Sequence, residues 1–185
     1  METIQAAIEA LKAGKTILYP TDTIWGIGCD ATDEAACRRI LEIKQRPEEK
    51  SFIVLVDSVQ MLEKYVPEFP EVCYDLIDYA DKPLTIIYPS AKGLAPSVLG
   101  KDGTVGIRVT KDPVCIKLIR ALKKPIVSTS ANKSGSPSPG CFAEIDEDIK
   151  SSVDEIVKER LEDKSNSPSQ IIRIGIDSSV QIIRK

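Results

Sequence analysis

Residues 51–57 read SFIVLVD, an apolar run closed by polar residues on both sides, and they form the clearest strand in the chain. Upstream, Thr32, Asp33 and Glu34 open a helix carrying Ala36, Ile40 and Ile43 on one face. Thr32 is its expected cap, and the two acids suit its positive end. The helix should end near Gln45, because Pro47 pushes Arg46 out of the α region. Downstream, residues 58–65 read as a short helix and 70–79 as a second, with Val72, Leu76 and Tyr79 turned inward.

The alternation continues outward to both ends. Ile4, Ile8 and Leu11 lie at helical spacing before Gly14, a natural stop, and TILYP (16–20) and WGIGCD (25–30) read as short strands. On the other side LTIIYP (84–89), TVGIRVT (104–110) and PIVSTS (125–130) read as strands, with a helix over 113–122 between the last two. A polar helix near 144–151 and the segments EIV, QIIRI and VQIIRK complete the pattern. No composition break, long linker or internal repeat interrupts it. Residues 1–185 therefore read as one domain of α/β class, with a twisted, mixed sheet flanked by helices.

Composition narrows the chemistry. With 185 residues, 42% of them apolar, the chain can bury a core without disulfides or a structural metal. A net charge of −3 argues against a protein that grips nucleic acid with a broad basic face. There is no histidine, which removes Ser-His-Asp and Cys-His mechanisms and every His-bound metal site. The five cysteines have no C-x-x-C spacing, so neither a disulfide framework nor a zinc cluster is expected, and a reducing cytoplasm is the natural home. The N-terminal METIQAAIEALKAG is not a signal peptide, and no apolar run approaches membrane-spanning length.

Three segments do not look like core. In TILYPTDTIWGIGCDA (16–31) a strand runs into Thr21, Asp22 and Thr23, residues suited to a small polar ligand or to a turn bonded by its own side chains. Its Gly26-x-Gly28-x-x-Ala31 imitates a dinucleotide fingerprint, but no acid ends a strand at the required distance. The oxidoreductase reading rests on that glycine pattern alone. The second segment gathers Lys44, Arg46 and Lys50, which suit a polyphosphate if Lys44 and Arg46 share one side of an extended chain. The alternative is that they complement a helix C-terminus on a solvated face. In the third, PIVSTSANKSGSPSPG (125–140), a strand delivers Ser128, Thr129, Ser130 and Asn132 into a loop whose amides and hydroxyls suit an anion, stiffened by Pro137 and Pro139. No G-x-x-x-x-G-K-[ST] motif is present, so a Walker-type loop is excluded.

In combination these segments are more specific. YPTDTIWGIGCDA, an I-x-K-x-R-P run, a strand, TVGIRV and then STSANKSGSPS occur in an order that strongly resembles the YrdC/Sua5 family of threonylcarbamoyl-AMP synthases. The resemblance implies a single YrdC-like domain, in the short form, with an open sheet around a large concave, positive cavity. It implies a nucleotidyltransferase that joins L-threonine, bicarbonate and ATP into threonylcarbamoyl-AMP and pyrophosphate, with Mg²⁺. The product serves threonylcarbamoyladenosine formation beside the tRNA anticodon, through a downstream tRNA threonylcarbamoyl-transferase.

Carried over by motif, the resemblance places Lys44, Arg46, Ser130 and Asn132 at the catalytic centre. ATP contacts fall on these four and on Lys50, Thr104, Ser138 and Arg184; threonine contacts fall on Thr23, Arg108, Ser128 and Ser169. No protein metal ligand is implied. Leu55 stands where some members carry a histidine, so that threonine contact is absent or replaced. A paralogous branch of uncertain activity usually changes the Asp-Thr of the first motif, which is intact here as Asp22-Thr23. The rival reading is a module that binds tRNA or double-stranded RNA without synthase activity.

Overall fold

The computed structural model describes residues 2–45, 51–164 and 167–185. Helix α1 (Glu2–Lys12) leads into strands β1 (Ile17–Tyr19) and β2 (Gly26–Gly28). Helix α2 (Glu34–Lys44) follows, and its cap is Asp33, not Thr32: the Asp33 carboxylate accepts from the Ala36 amide at 3.1 Å. The Thr32 hydroxyl is already committed to Asp30 Oδ1 at 2.6 Å, so the expected cap is shifted by one residue. Gln45 ends the helix in the left-handed region, φ 48°.

Strand β3 (Ile53–Val56) is followed by α3 (Val59–Tyr65), capped by Ser58, and α4 (Val72–Asp78). Val72 and Leu76 pack on the core as expected, but Tyr79 is 82% exposed because the helix stops one residue before it. Strands β4 (Leu84–Tyr88) and β5 (Val105–Val109) precede α5 (Pro113–Leu122), whose first amides donate to the Asp112 carboxylate. Strand β6 (Ile126–Ser130), helix α6 (Glu147–Ser152) and strands β7 (Glu155–Ile156), β8 (Gln170–Ile174) and β9 (Val180–Arg184) complete the order.

Among the described residues the strands form one mixed sheet, ordered β7-β1-β2-β6-β3-β5-β4-β8-β9. β3 and β5 run parallel at its centre, while β6 and β4 flank them antiparallel. The two faces are covered differently. Helix α2 and the Leu62 and Cys73 side chains of α3 and α4 pack with Val54, Val56 and Ile107 on one face. On the other, α1 and α5 cover Ile17, Leu55 and Ile126. Farther along this second face, where Ser128, Ile53, Gly106, Ile87 and Thr85 point outward, the sheet lines a cavity of about 360 Å³. The concave site is the part of the sheet that α1 and α5 leave uncovered.

Gly26 and Gly28 sit inside β2, not at a strand-to-helix turn, so the dinucleotide fingerprint is not formed. A Cβ on Gly28 would lie 2.5 Å from the Val127 carbonyl oxygen and 2.7 Å from the Tyr19 ring. The glycine is there for close packing between β1 and β6.

Candidate functional site

Strand ends and loops from widely separated parts of the chain meet at this cavity. Thr23, Arg108, Ser128, Ser130, Ser138, Ser169 and Arg184 all line it. At its centre is Arg108 on β5, 3% exposed. Its Nη2 lies 3.2 Å from Asp22 Oδ1, Nη1 donates a long bond of 3.4 Å to Thr23 Oγ1, and Nε has no hydrogen-bond partner in the protein. A buried guanidinium with an unused donor favours a ligand that brings a carboxylate or phosphate oxygen. Burial raises the Asp22 carboxyl above its ordinary pKa, while the Arg108 charge opposes that shift. Leu55 lies directly across from Arg108 in the β3–β5 register, buried under α1 and α5, and adds no polar contact.

The 21–24 turn divides two roles between its threonines. Thr21 donates to the Ile24 carbonyl at 2.7 Å and accepts from the Thr23 amide at 3.0 Å. With its proton used, it accepts from the Thr23 hydroxyl, also at 3.0 Å. Thr21 therefore builds the turn, and Thr23 is turned toward Arg108.

The cation expected on phosphate sits elsewhere. Lys44 is the last residue of α2, helical and not extended, and is 2% exposed. Its ammonium donates to the carbonyl oxygens of Ser130 and Asn132, the latter at 2.6 Å, and approaches Asn132 Oδ1 at 3.5 Å. The Lys44 carbonyl accepts from the Ser134 amide at 3.0 Å. Lys44 thus braces the 130–134 loop from behind and does not line the cavity.

Asn132 is likewise set back: its Oδ1 accepts from Ser130 Oγ, and its amide donates to the Ser136 carbonyl at 2.5 Å. The sequence pattern suggests a loop that offers backbone amides to an anion. Those of Ala131, Asn132, Ser134 and Ser136 are instead bonded within the protein, Asn132 and Ser136 inside the turn and Ala131 and Ser134 to the Trp25 and Lys44 carbonyls. What this loop presents to the cavity is the side chains of Ser130 and Ser138. Thr104 lies apart, its hydroxyl bonded to Asp102 at 2.6 Å. Arg46 and Lys50 lie outside the described residues.

At the opposite wall Arg184 donates from Nε to the Ser169 carbonyl at 2.8 Å and from Nη2 to Ser169 Oγ at 3.3 Å. Burial lowers the Arg184 pKa, and the nearby Arg108 charge lowers it further. Arg108 and Arg184 thus both line the hollow, with Asp22 offsetting part of the Arg108 charge. Trp25 and Phe52 form apolar walls, Trp25 meeting the Phe142 ring at a tilt of 53° with centroids 5.0 Å apart. Thr85, Trp25 and Phe52 read from sequence only as strand or turn residues. The one available signal for Thr85 is a hydroxyl inside the otherwise apolar LTIIY.

The structure is an open α/β sheet with a guanidinium-centred, hydroxyl-lined hollow on one face, a donor set that suits small anionic ligands. The Sua5/YciO/YrdC family profile, described as "Telomere recombination", matches residues 9–185. The threonylcarbamoyl-AMP synthase of Pseudomonas syringae pv. syringae is 34% identical over 180 residues, covering 93% of this chain and 97% of that one. The Vibrio cholerae enzyme of the same name is 42% identical over 142 residues, 75% of each chain. Escherichia coli YciO superposes with a TM-score of 0.85 at 27% identity, covering all of this chain and 89% of that one. Pyrococcus abyssi Sua5, solved as a complex with L-threonine, gives 0.82 at 30% identity over 92% of this chain. This chain spans about half of that Sua5 chain, 50%. It belongs to the Sua5/YciO/YrdC family.

Among the described residues no helix is long and apolar enough to cross a membrane.

Proposed function

We propose that the chain is a threonylcarbamoyl-AMP synthase, an ATP-dependent nucleotidyltransferase acting on L-threonine and bicarbonate. The observation that carries this reading is the gathering of Thr23, Arg108, Ser128 and Ser169, from four separate segments, around one buried guanidinium with a donor to spare. The names of the relatives and the threonine complex of P. abyssi Sua5 support it.

The chemistry suits a chain without histidine. Threonine's ammonium and bicarbonate give a carbamate with loss of water and one proton to solvent, and the carbamate oxygen is already an anionic nucleophile. That oxygen attacks the α-phosphorus of ATP, the bond to the bridging oxygen breaks, and pyrophosphate leaves. The protein's task is to hold two anions together and offset developing charge. Arg108 takes the amino-acid carboxylate, and Ser128 and Ser130 orient the reacting groups. Arg184, with Arg46 and Lys50 by family resemblance, faces the nucleotide. Lys44 acts indirectly, by fixing the loop that carries Ser130.

The cavity lining among the described residues offers hydroxyls and guanidiniums but no carboxylate. Such a donor set fits Mg²⁺ held by phosphate oxygens and water, where it would neutralise charge on the departing pyrophosphate. The product passes to a tRNA threonylcarbamoyl-transferase. Pyrophosphate release from ATP and Mg²⁺, with threonine and bicarbonate omitted in turn, tests the reading: dependence on both supports it, and release indifferent to threonine overturns it.

A further inference from the structure

Thr85 of β4 is 1% exposed and lines the cavity, yet no motif singles it out. Its Oγ1 lies 2.8 Å from Ser169 Oγ. A guanidinium only donates, so Ser169 Oγ accepts from Arg184 at 3.3 Å and keeps its own proton and a second lone pair, and either hydroxyl of the pair can be the donor to the other. A hydroxyl pair held this way can both donate to and accept from a third hydroxyl.

Its position fits such a ligand. Strands β4 and β5 pair Ile86 with Ile107, and the same register sets Thr85 across from Arg108. An amino acid whose carboxylate rests on Arg108 carries its β-substituents about one strand spacing away, ~4.8 Å, over Thr85 and Ser169. The space is left by Gly106: a Cβ there would come within 3.3 Å of the Thr85 methyl carbon.

We propose that Thr85, paired with Ser169, selects for a β-hydroxyl on the amino-acid substrate. This specificity-determining role rests on the threonine reading above. A site built to hydrogen-bond a substrate hydroxyl discriminates strongly against the analogue lacking it, because its own polar groups are then left unpaired.

The test compares L-threonine with L-2-aminobutyrate, the same skeleton without the hydroxyl, in wild type, Thr85→Val and Thr85→Ser. Pyrophosphate release gives the kcat/KM ratio of the two amino acids; calorimetric titration without ATP gives their affinity ratio. In Thr85→Val both ratios should fall at least about tenfold, through a loss on threonine alone, with KM for ATP unchanged. Thr85→Ser, which keeps the hydroxyl, should retain the wild-type ratios. Unchanged ratios in Thr85→Val, or equal losses on both amino acids in both variants, overturn the inference. Should wild-type release prove indifferent to threonine, the synthase reading falls, and calorimetry still decides: equal wild-type affinities for the two amino acids overturn the role of Thr85.

Discussion

Lys44→Met replaces a buried ammonium by an apolar side chain of similar length, and the structure sets what that costs. The ammonium donates to two backbone carbonyls, those of Ser130 and Asn132, in a setting where Lys44 is 2% exposed. A hydrogen bond to a charged group contributes about 1.5–3 kcal/mol, so losing both costs about 3–6 kcal/mol. In a domain of this length each kcal/mol moves the melting temperature by about 2–4 °C, giving a fall of roughly 10 °C. Differential scanning fluorimetry at neutral pH, with far-UV circular dichroism to confirm the fold, reads it directly. A lysine that merely faced phosphate would leave stability nearly untouched and alter KM for ATP alone. A melting temperature within about 2 °C of wild type would refute the bracing role.

Arg108→Ala should raise KM for threonine at least about tenfold while KM for ATP holds, since the charge-assisted hydrogen bonds of this guanidinium serve one substrate; unchanged threonine dependence in initial-rate assays would remove the carboxylate assignment. Gly28→Ala drives a methyl group into the Val127 carbonyl and the Tyr19 ring and should cost about 1–3 kcal/mol, seen as a lower midpoint in urea unfolding. The Asp154 carboxylate accepts from the amide and hydroxyl of Thr16 at 2.8 and 2.7 Å. Burial alone would raise its pKa, but those bonds outweigh burial and hold it below the ordinary 3.8. Its stabilisation is therefore present above pH 3.8 and lost as pH falls through the lower folded value. Asp154→Ala should melt below wild type at pH 7, and the gap should close on acidification; a gap constant with pH would refute the linkage.

The strands and most helices could be read from periodicity because each buries a face whose spacing is local. SFIVLVD became β3, and PIVSTS became β6 with its hydroxyls at the cavity, because an apolar run ending in small polar residues leaves the core where the sheet ends. What local pattern cannot carry is direction. Lys44 looks like a surface cation in the sequence, but the last turn of α2 points it under a loop 86 residues away in the chain. The same limit applies to the amides of Ala131, Asn132, Ser134 and Ser136, whose partners lie in their own turn and in Trp25 and Lys44. Thr85 is hidden for a related reason: a single hydroxyl in a strand signals function only once the residue across from it, Arg108, is known. The cap at Asp33 and the exposure of Tyr79 are one-residue shifts at helix ends, where competing side-chain bonds decide the boundary.

The cavity is lined by Thr23, ahead of β2, and by Arg184, on β9, so its walls are drawn from elements far apart in sequence. A polypeptide emerging from the ribosome consequently has no complete pocket until the segment from Thr23 through Arg184 is free to fold. Ligand capture by stalled nascent chains of increasing length should switch on only once β9 has emerged, making substrate binding a reporter of how far synthesis has passed that strand.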